Sequence, residues 1–250
     1  MNKIIFLGTG AGGLDPLKQP IKTSSLYFEV NNLKFILDPG PGTIINAIKN
    51  KINLLQIDGI IVTHPHPDHY NDVNSLIDAL RKKDSFLIAN EKCLIPSKNY
   101  FPCIGKFQQT IPEKLFSMKP GKMIKIKKIK FIATPSHHLD CGMGIQIISN
   151  KKIGYVGDGY LKGIEKYHEG MDLLIFNVLC PYPEKSNGIH TTVNEIIIFL
   201  NKLKKKPKKV IIQHFSSDML KANVDKQAKI IEKETKIKTI AAKDEMIIKF

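Results

Sequence analysis

The chain has 250 residues and a formal net charge of +15, carried almost wholly by lysine because Arg81 is the sole arginine. This length can bury a sizeable core as one domain over residues 1–250. No run of about 18 apolar residues marks a membrane span, and the apolar start Ile4-Ile5-Phe6 is too short for a signal peptide. The four cysteines (Cys93, Cys103, Cys141, Cys180) lack the spacing of a structural zinc knot and read as reduced residues of a cytoplasmic protein, although a Cys93–Cys103 bridge is compatible with the sequence. Positive excess attracts anions and nucleic acid, but lysine lacks the planar fork that recognises phosphate specifically. The lysine runs Lys122–Lys130 and Lys202–Lys209 read as solvent-facing.

In chain order, Ile4–Leu7 predicts a first strand, ended by Gly8-Thr9-Gly10-Ala11-Gly12-Gly13. A glycine turn after a strand can cradle phosphate, but Asp15-Pro16 and Gln19-Pro20 continue a loop where a dinucleotide fingerprint needs a helix. Ser25–Val30 and Lys34–Leu37 form a hairpin around Asn31-Asn32. Asp38 follows in a Pro-Gly turn, as a capping residue or as support for a site. Thr43–Lys49 predicts a short helix burying Ile44, Ile45, Ala47 and Ile48. Asp58–Val62 is a buried strand that delivers Thr63-His64-Pro65-His66-Pro67-Asp68-His69. Beyond it, Tyr70, Val73, Leu76, Ile77 and Leu80 recur at helical spacing.

Phe86–Ala89 reads as a strand, and prolines punctuate the rest of residues 85–121 as a loop-rich insertion. Met123–Ile126 and Ile129–Ala133 alternate as half-exposed strands do, and the second ends in Pro135-Ser136-His137-His138. Gly144–Ile148 and Lys152–Val156 form a hairpin leading to Gly157-Asp158-Gly159. Asp172–Val178 is a buried strand followed by the polar loop Pro181–Gly188 and His190. Thr192 and Glu195 have capping-box spacing ahead of the stripe Val193, Ile196, Ile197, Leu200 and Leu203. Lys208–Ile212 is a strand ending in Gln213-His214. A last amphipathic helix carries Leu220, Val224, Ala228 and Ile231, and residues 237–240 and 245–250 read as closing strands. Alternating strands and helices predict a mixed α/β domain.

Of eight histidines, only His168 falls in a surface-like helical stretch; the others gather where strands stop or helices start. Imidazole nitrogen and carboxylate oxygen are favoured zinc ligands. Alternate residues of an extended segment point the same way, so His64 and His66 suit one ion, and the next turn swings Asp68 and His69 towards a second. Asp158, between two glycines at a strand end, is placed to approach two ions.

The His64-x-His66-x-Asp68-His69 run, with His138, Asp158 and His214, resembles the metallo-β-lactamase superfamily over nearly the whole chain. Asp38 in Leu-Asp-Pro-Gly is similar to that superfamily's first Asp motif. The resemblance implies a four-layer αβ/βα sandwich holding two divalent ions, zinc or alternatively manganese or iron, in a cleft between its sheets. One ion would take His64, His66 and His138, the other Asp68, His69 and His214, with Asp158 bridging. His138 stands six residues before Gly144, and counting seven would select His137. Within the superfamily the chain is most similar to the phosphodiesterase branches, the transfer-RNA 3′-processing endonucleases and phosphoribosyl cyclic phosphodiesterases. These carry a further His in a His-x-Thr setting, matched by His190-Thr191-Thr192.

Two departures stand out. Only 20 positions separate His138 from Asp158, too few for the clamping arm of the transfer-RNA enzymes, and Tyr155 stands where those enzymes have Glu. The Cys-rich zinc site of some cyclic phosphodiesterases is also missing. The resemblance implies hydrolysis of a small or cyclic phosphodiester by a metal-bridging hydroxide, with His190 as general acid and Asp68 as a ligand that also orients the nucleophile. The alternatives are a thioester or lactone hydrolase of the same fold and an RNA-processing nuclease or RNA-binding protein. His66 argues against a di-iron oxidoreductase, in which Glu replaces the second His. The expected partner is a small anionic substrate, with nucleic acid weakly supported, no membrane, and a homodimer compatible with the sequence.

Overall fold

β1 (Lys3–Gly8) forms where the first apolar run predicts it, followed by β2 (Ser25–Val30), β3 (Leu33–Leu37), β4 (Gly59–Val62), β5 (Phe86–Asn90) and β6 (Lys114–Met118). The computed structural model describes residues 2–183 and 189–250, so residues 184–188 of the expected Pro181–Gly188 loop lie outside the described residues. The chain separates into two compact units, Met1–Lys119 with Lys243–Phe250, and Pro120–Ala242.

In the first unit, Asn31 and Asn32 have φ of 47° and 61°, the left-handed pair a two-residue hairpin requires, and they join β2 to β3 antiparallel. β14 (Ile247–Lys249) returns from the chain end to pair with β1, giving the order β14-β1-β2-β3-β4-β5-β6. β3 to β6 run parallel, and β4 and β5 are buried along their whole length, as parallel strands covered on both faces are. Ile60, Val62, Leu87 and Ala89 share a core with Val73, Leu76, Ile77 and Leu80.

Three expectations in this unit are corrected. A single helical turn, α1 (Asp15–Lys18), replaces the continued loop, with Pro16 in its first turn and Gln19 stopping it in the left-handed region. α2 (Thr43–Lys49) buries Thr43, Asn46 and Ala47, leaving Ile45 59% and Ile48 62% exposed. The stripe from Tyr70 to Leu80 is divided among α3 (Pro67–Tyr70), α4 (Val73–Leu76) and a 3-10 turn at Ile77–Leu80. The stretch 85–121 also contains α5 (Glu91–Leu94) and β6, paired parallel to β5. β6 was illegible because Lys-Leu-Phe-Ser-Met is largely exposed and shows no buried face.

The second unit contains β7 (Met123–Ile126), β8 (Ile129–Pro135), β9 (Met143–Ile148), β10 (Lys152–Tyr155), β11 (Leu173–Asn177), β12 (Lys209–Gln213) and β13 (Thr239–Ala241). Their order is β13-β12-β11-β10-β9-β8-β7, antiparallel from β7 to β10 and parallel from β10 to β13. α6 (Val193–Lys202) begins on the expected capping box, with Thr192 Oγ1 accepting from Glu195 N and Glu195 accepting from Thr192 N. The expected final helix is two, α7 (Ser217–Lys221) and α8 (Val224–Thr235), parted at Asn223, whose φ is 64° and whose side chain caps α8. His168, expected on a surface, is fully buried against Phe199. No helix among the described residues is long and apolar enough to cross a membrane.

Candidate metal centre

In the first unit the histidine run is built on Asp38. β3 and β4 pair in parallel, which sets the Asp38 turn beside Thr63. The Asp38 carboxylate, 1% exposed, accepts from Thr63 N at 2.8 Å and Thr63 Oγ1 at 2.7 Å, and lies 2.9 Å from His69 Nδ1. A carboxylate on Nδ1 fixes the ring and leaves Nε2 as the donor nitrogen, the usual support for a metal-binding imidazole. Asp38 has a φ of 51°, which aspartate tolerates better than most residues. His69 Nε2 lies 3.2 Å from Asp68 Oδ2, and the His64 ring centroid is 4.7 Å from that of His66 and 4.1 Å from that of His69. Thus His64, His66, Asp68 and His69 gather at the end of β4.

The glycines around this cluster have a steric role. A Cβ on Gly12 would overlap the Asp68 carboxylate, and one on Gly40 the Asp68 carbonyl. The glycine turn after β1 therefore makes room for Asp68. Tyr100, which sequence reasoning did not single out, brings its hydroxyl within 3.5 Å of His66 Nε2.

In the second unit, the ends of β8, β10 and β12 and the loop before α6 contribute. His138 is buried and its Nδ1 lies 3.4 Å from the carbonyl of Ile189, while the His137 ring stacks on Tyr160 with centroids 4.6 Å apart. Ligand atoms of His138, Asp158 and His190 lie within 4.8 Å of one another, a grouping that does not include His137. Asp158 Oδ2 is 3.3 Å from His214 Nε2. Gly157 and Gly159 flank Asp158 with φ of 80° and 125°, and a Cβ on Gly159 would strike the backbone of His137 and His138. Thr191 Oγ1 donates to the Gly159 carbonyl, tying the His190 loop to the Asp158 turn. His214 sits at the end of β12 with a φ of 62°, a left-handed conformation that costs a non-glycine residue about 1 kcal/mol.

Sequence reading missed the amides behind Asp158. Asn177 Nδ2 donates to Asp158 Oδ1 and, at 2.8 Å, to the Tyr155 hydroxyl, while Gln213 Nε2 donates to Asn177 Oδ1 at 2.8 Å. Asn177 and Gln213 are register partners at the ends of β11 and β12. The available signal was an amide closing each of two buried apolar runs, Leu173–Phe176 and Val210–Ile212, since a buried amide must be hydrogen-bonded. Tyr155, read as a departure from the family pattern, is fully buried in this network.

The model of the β-lactamase superfamily domain matches residues 34–215, well over half of the chain. The chain belongs to this family. Over 248 residues this superfamily member is 27% identical to an uncharacterised protein of Methanocaldococcus jannaschii, covering 96% of this chain and 92% of that one. Over 95 residues it is 32% identical to ribonuclease Z of Metallosphaera sedula, covering 36% of this chain and 31% of that enzyme. Among solved structures, the metallo-β-lactamase fold protein YhfI of Bacillus subtilis matches with a TM-score of 0.78 at 15% identity, over 100% of both chains. The fold is thus the expected metallo-β-lactamase α/β sandwich, and the expectation of a metal-dependent hydrolase of this superfamily holds.

The donor sets fit such chemistry. Each unit presents buried imidazole nitrogens beside a carboxylate, the combination divalent transition ions select, with ring orientation fixed by a carboxylate at His69.

Proposed function

We propose that the protein is a phosphodiesterase acting on a small or cyclic phosphodiester. The observation that carries this reading is His190, a half-buried imidazole whose ring centroid lies 5.1 Å from that of His138 and which is grouped with Asp158. In this reading His64, His66 and His138 would hold one divalent ion and Asp68, His69 and His214 a second, with Asp158 a ligand available to both; the preferred metal is zinc. Bound there, the ions supply Lewis acidity towards water and the phosphoryl oxygens. The chain's own residues do the rest. Asp68 orients the attacking water, His190 gives its ring proton to the leaving oxygen as the phosphorus–oxygen bond breaks, and the Thr191–Gly159 bond holds His190 in place.

Similarity to a ribonuclease Z supports phosphoester rather than thioester chemistry, and it also favours a second reading, an RNA-processing nuclease. The chain spans about a third of that relative's length, and its 20-position interval between His138 and Asp158 suits a small substrate better.

Metal analysis followed by hydrolysis of bis(p-nitrophenyl) phosphate, with and without chelator, tests the class. Turnover should vanish with chelator and return with zinc or manganese. A leaving alkoxide needs a proton far more than p-nitrophenolate does. His190→Ala should therefore slow a dialkyl or 2′,3′-cyclic phosphodiester by about 100-fold or more, and bis(p-nitrophenyl) phosphate much less. Equal losses on both esters, or faster turnover of a thioester, would reject the assignment. An intact precursor RNA cut in preference to the small diesters would select the second reading.

A further inference from the structure

The second unit carries a feature that the metal-ligand candidates do not use. The segment after His137–Tyr160, residues 161–170, and the segment 202–205 beyond α6 line an open groove of about 800 Å3. Lys162, Lys166, Lys202, Lys204 and Lys205 face it, with Glu165 and Glu169. Both carboxylates are engaged. Glu165 takes Lys202 Nζ at 3.3 Å, and Glu169 accepts from Lys204 N at 3.0 Å and Lys205 N at 2.7 Å. Gly170 N donates to the Lys205 carbonyl at 2.9 Å, so the backbone carrying these lysines is fixed at both ends of the contact. Lys162, Lys166, Lys204 and Lys205 have no ion pair among the described residues. The groove lining thus sets five lysines against two carboxylates, a local excess of positive charge.

We propose that this groove binds the phosphodiester backbone of a nucleic-acid strand, independently of base sequence. The ligand class follows from the donors. Ammonium groups on flexible stems are point charges, suited to a row of singly charged phosphates, whereas a single small anion is usually gripped by a guanidinium fork or buried N–H groups. Arg81, the sole arginine, lies in the first unit, and the groove is open. Binding would gain chiefly from release of counterions, with affinity falling steeply as salt rises.

The site is separate from the metal-ligand candidates of its unit. β11 and β12 run parallel, with Leu173 and Lys209 at the groove end and Asn177 and Gln213 at the Asp158 end. At about 3.3 Å per residue the two ends stand roughly 13 Å apart. The proposal is independent of the phosphodiesterase reading.

The test is fluorescence anisotropy of the full chain with labelled 15-nucleotide RNA and DNA of one sequence, between 25 and 200 mM salt. Single-strand binding loses about 0.7 in the slope of log K against log salt for each phosphate contact removed. The triple variant Lys162→Ala, Lys204→Ala, Lys205→Ala should therefore lower the slope by about 2 for RNA and DNA alike. A triple variant on α8, Lys226→Ala, Lys229→Ala, Lys233→Ala, removes the same charge from exposed positions elsewhere and should leave the slope unchanged. The corresponding lysine-to-glutamine triple guards against misfolding, and bis(p-nitrophenyl) phosphate turnover should match that of the parent protein in every variant. Four results would overturn the proposal: no strand binding by the parent protein, an unchanged slope in the groove variants, an equal fall in the α8 variant, or displacement of the strand by equimolar pyrophosphate. None of these bears on whether the parent protein hydrolyses phosphodiesters.

Discussion

A single buried carboxylate, Asp38, organises the first unit's share of the donors. It receives Thr63 N–H, Thr63 O–H and the His69 imidazole within 2.9 Å, so truncation would remove the partner of buried Thr63 N–H and His69 Nδ1 and one of the partners of Thr63 Oγ1. Asp38→Ala should cost on the order of 3 kcal/mol in a denaturant titration and should reduce bound metal, because outer support of this kind is worth about 10- to 100-fold in metal affinity. Full metal content with unchanged stability would show that His69 needs no such support. His168 makes the opposite case, an imidazole with no polar partner: burial pushes its pKa down to about 4 from 6.5. The unfolded chain takes up this proton from about pH 6.5 downward while the folded chain resists until about pH 4, so the contribution is intact above 6.5 and is lost as pH falls through that window. The loss approaches roughly 3 kcal/mol. His168→Leu should flatten the stability profile between pH 6.5 and 4, and an unchanged slope there would place the acid sensitivity elsewhere. Sequence spacing made the ligand candidates legible because they gather just past strand ends or just before helices. The burial of His168 was not legible, since it depends on packing against Phe199 of α6, and the amide that closes β11 gave Asn177 a signal without naming Asp158 as its partner.

Elements were legible wherever one face is buried and the other is not. The capping box of α6 and the Asn-Asn hairpin appear at their expected positions, because both are satisfied by residues three or fewer apart. β6 failed for the converse reason: its partner β5 lies far enough back in sequence, and its own side chains are exposed enough, that nothing local reports the pairing. The buried side of α2 was half legible: Ala47 is buried and Ile44 packs against the core as expected, while Thr43 and Asn46 take the buried places expected for Ile45 and Ile48. Thr192→Ala removes an N-cap whose hydroxyl accepts from Glu195 N at 3.1 Å, and should cost about 1 kcal/mol in chemical denaturation. Thr192→Ser should restore most of it, because serine keeps the same acceptor. If Ser and Ala lose stability equally, the methyl group rather than the cap matters.

Charge acts on the whole molecule. A net +15 over 250 residues is repulsive, and exposed pairs such as Arg81–Asp78 and Lys221–Asp218 contribute little each. Two effects of salt therefore compete. Screening weakens those pairs, and it also relieves repulsion among lysines spread through both units. The first is small because the pairs are solvated to begin with. The second acts over longer distances, so it responds most as the Debye length contracts from about 30 Å at 0.01 M to about 8 Å at 0.15 M. Relief should dominate: raising potassium chloride across that range at pH 7.5, above the His168 window, should stabilise the protein by about 1 kcal/mol, or roughly 2–4 °C in Tm for a chain of this size. Acetylating surface lysines should reproduce the gain at low salt and leave little further response to added chloride. A Tm that falls with salt would mean that attractive pairs outweigh the excess positive charge, and would locate the lysines' role in binding rather than in a tolerated surface composition.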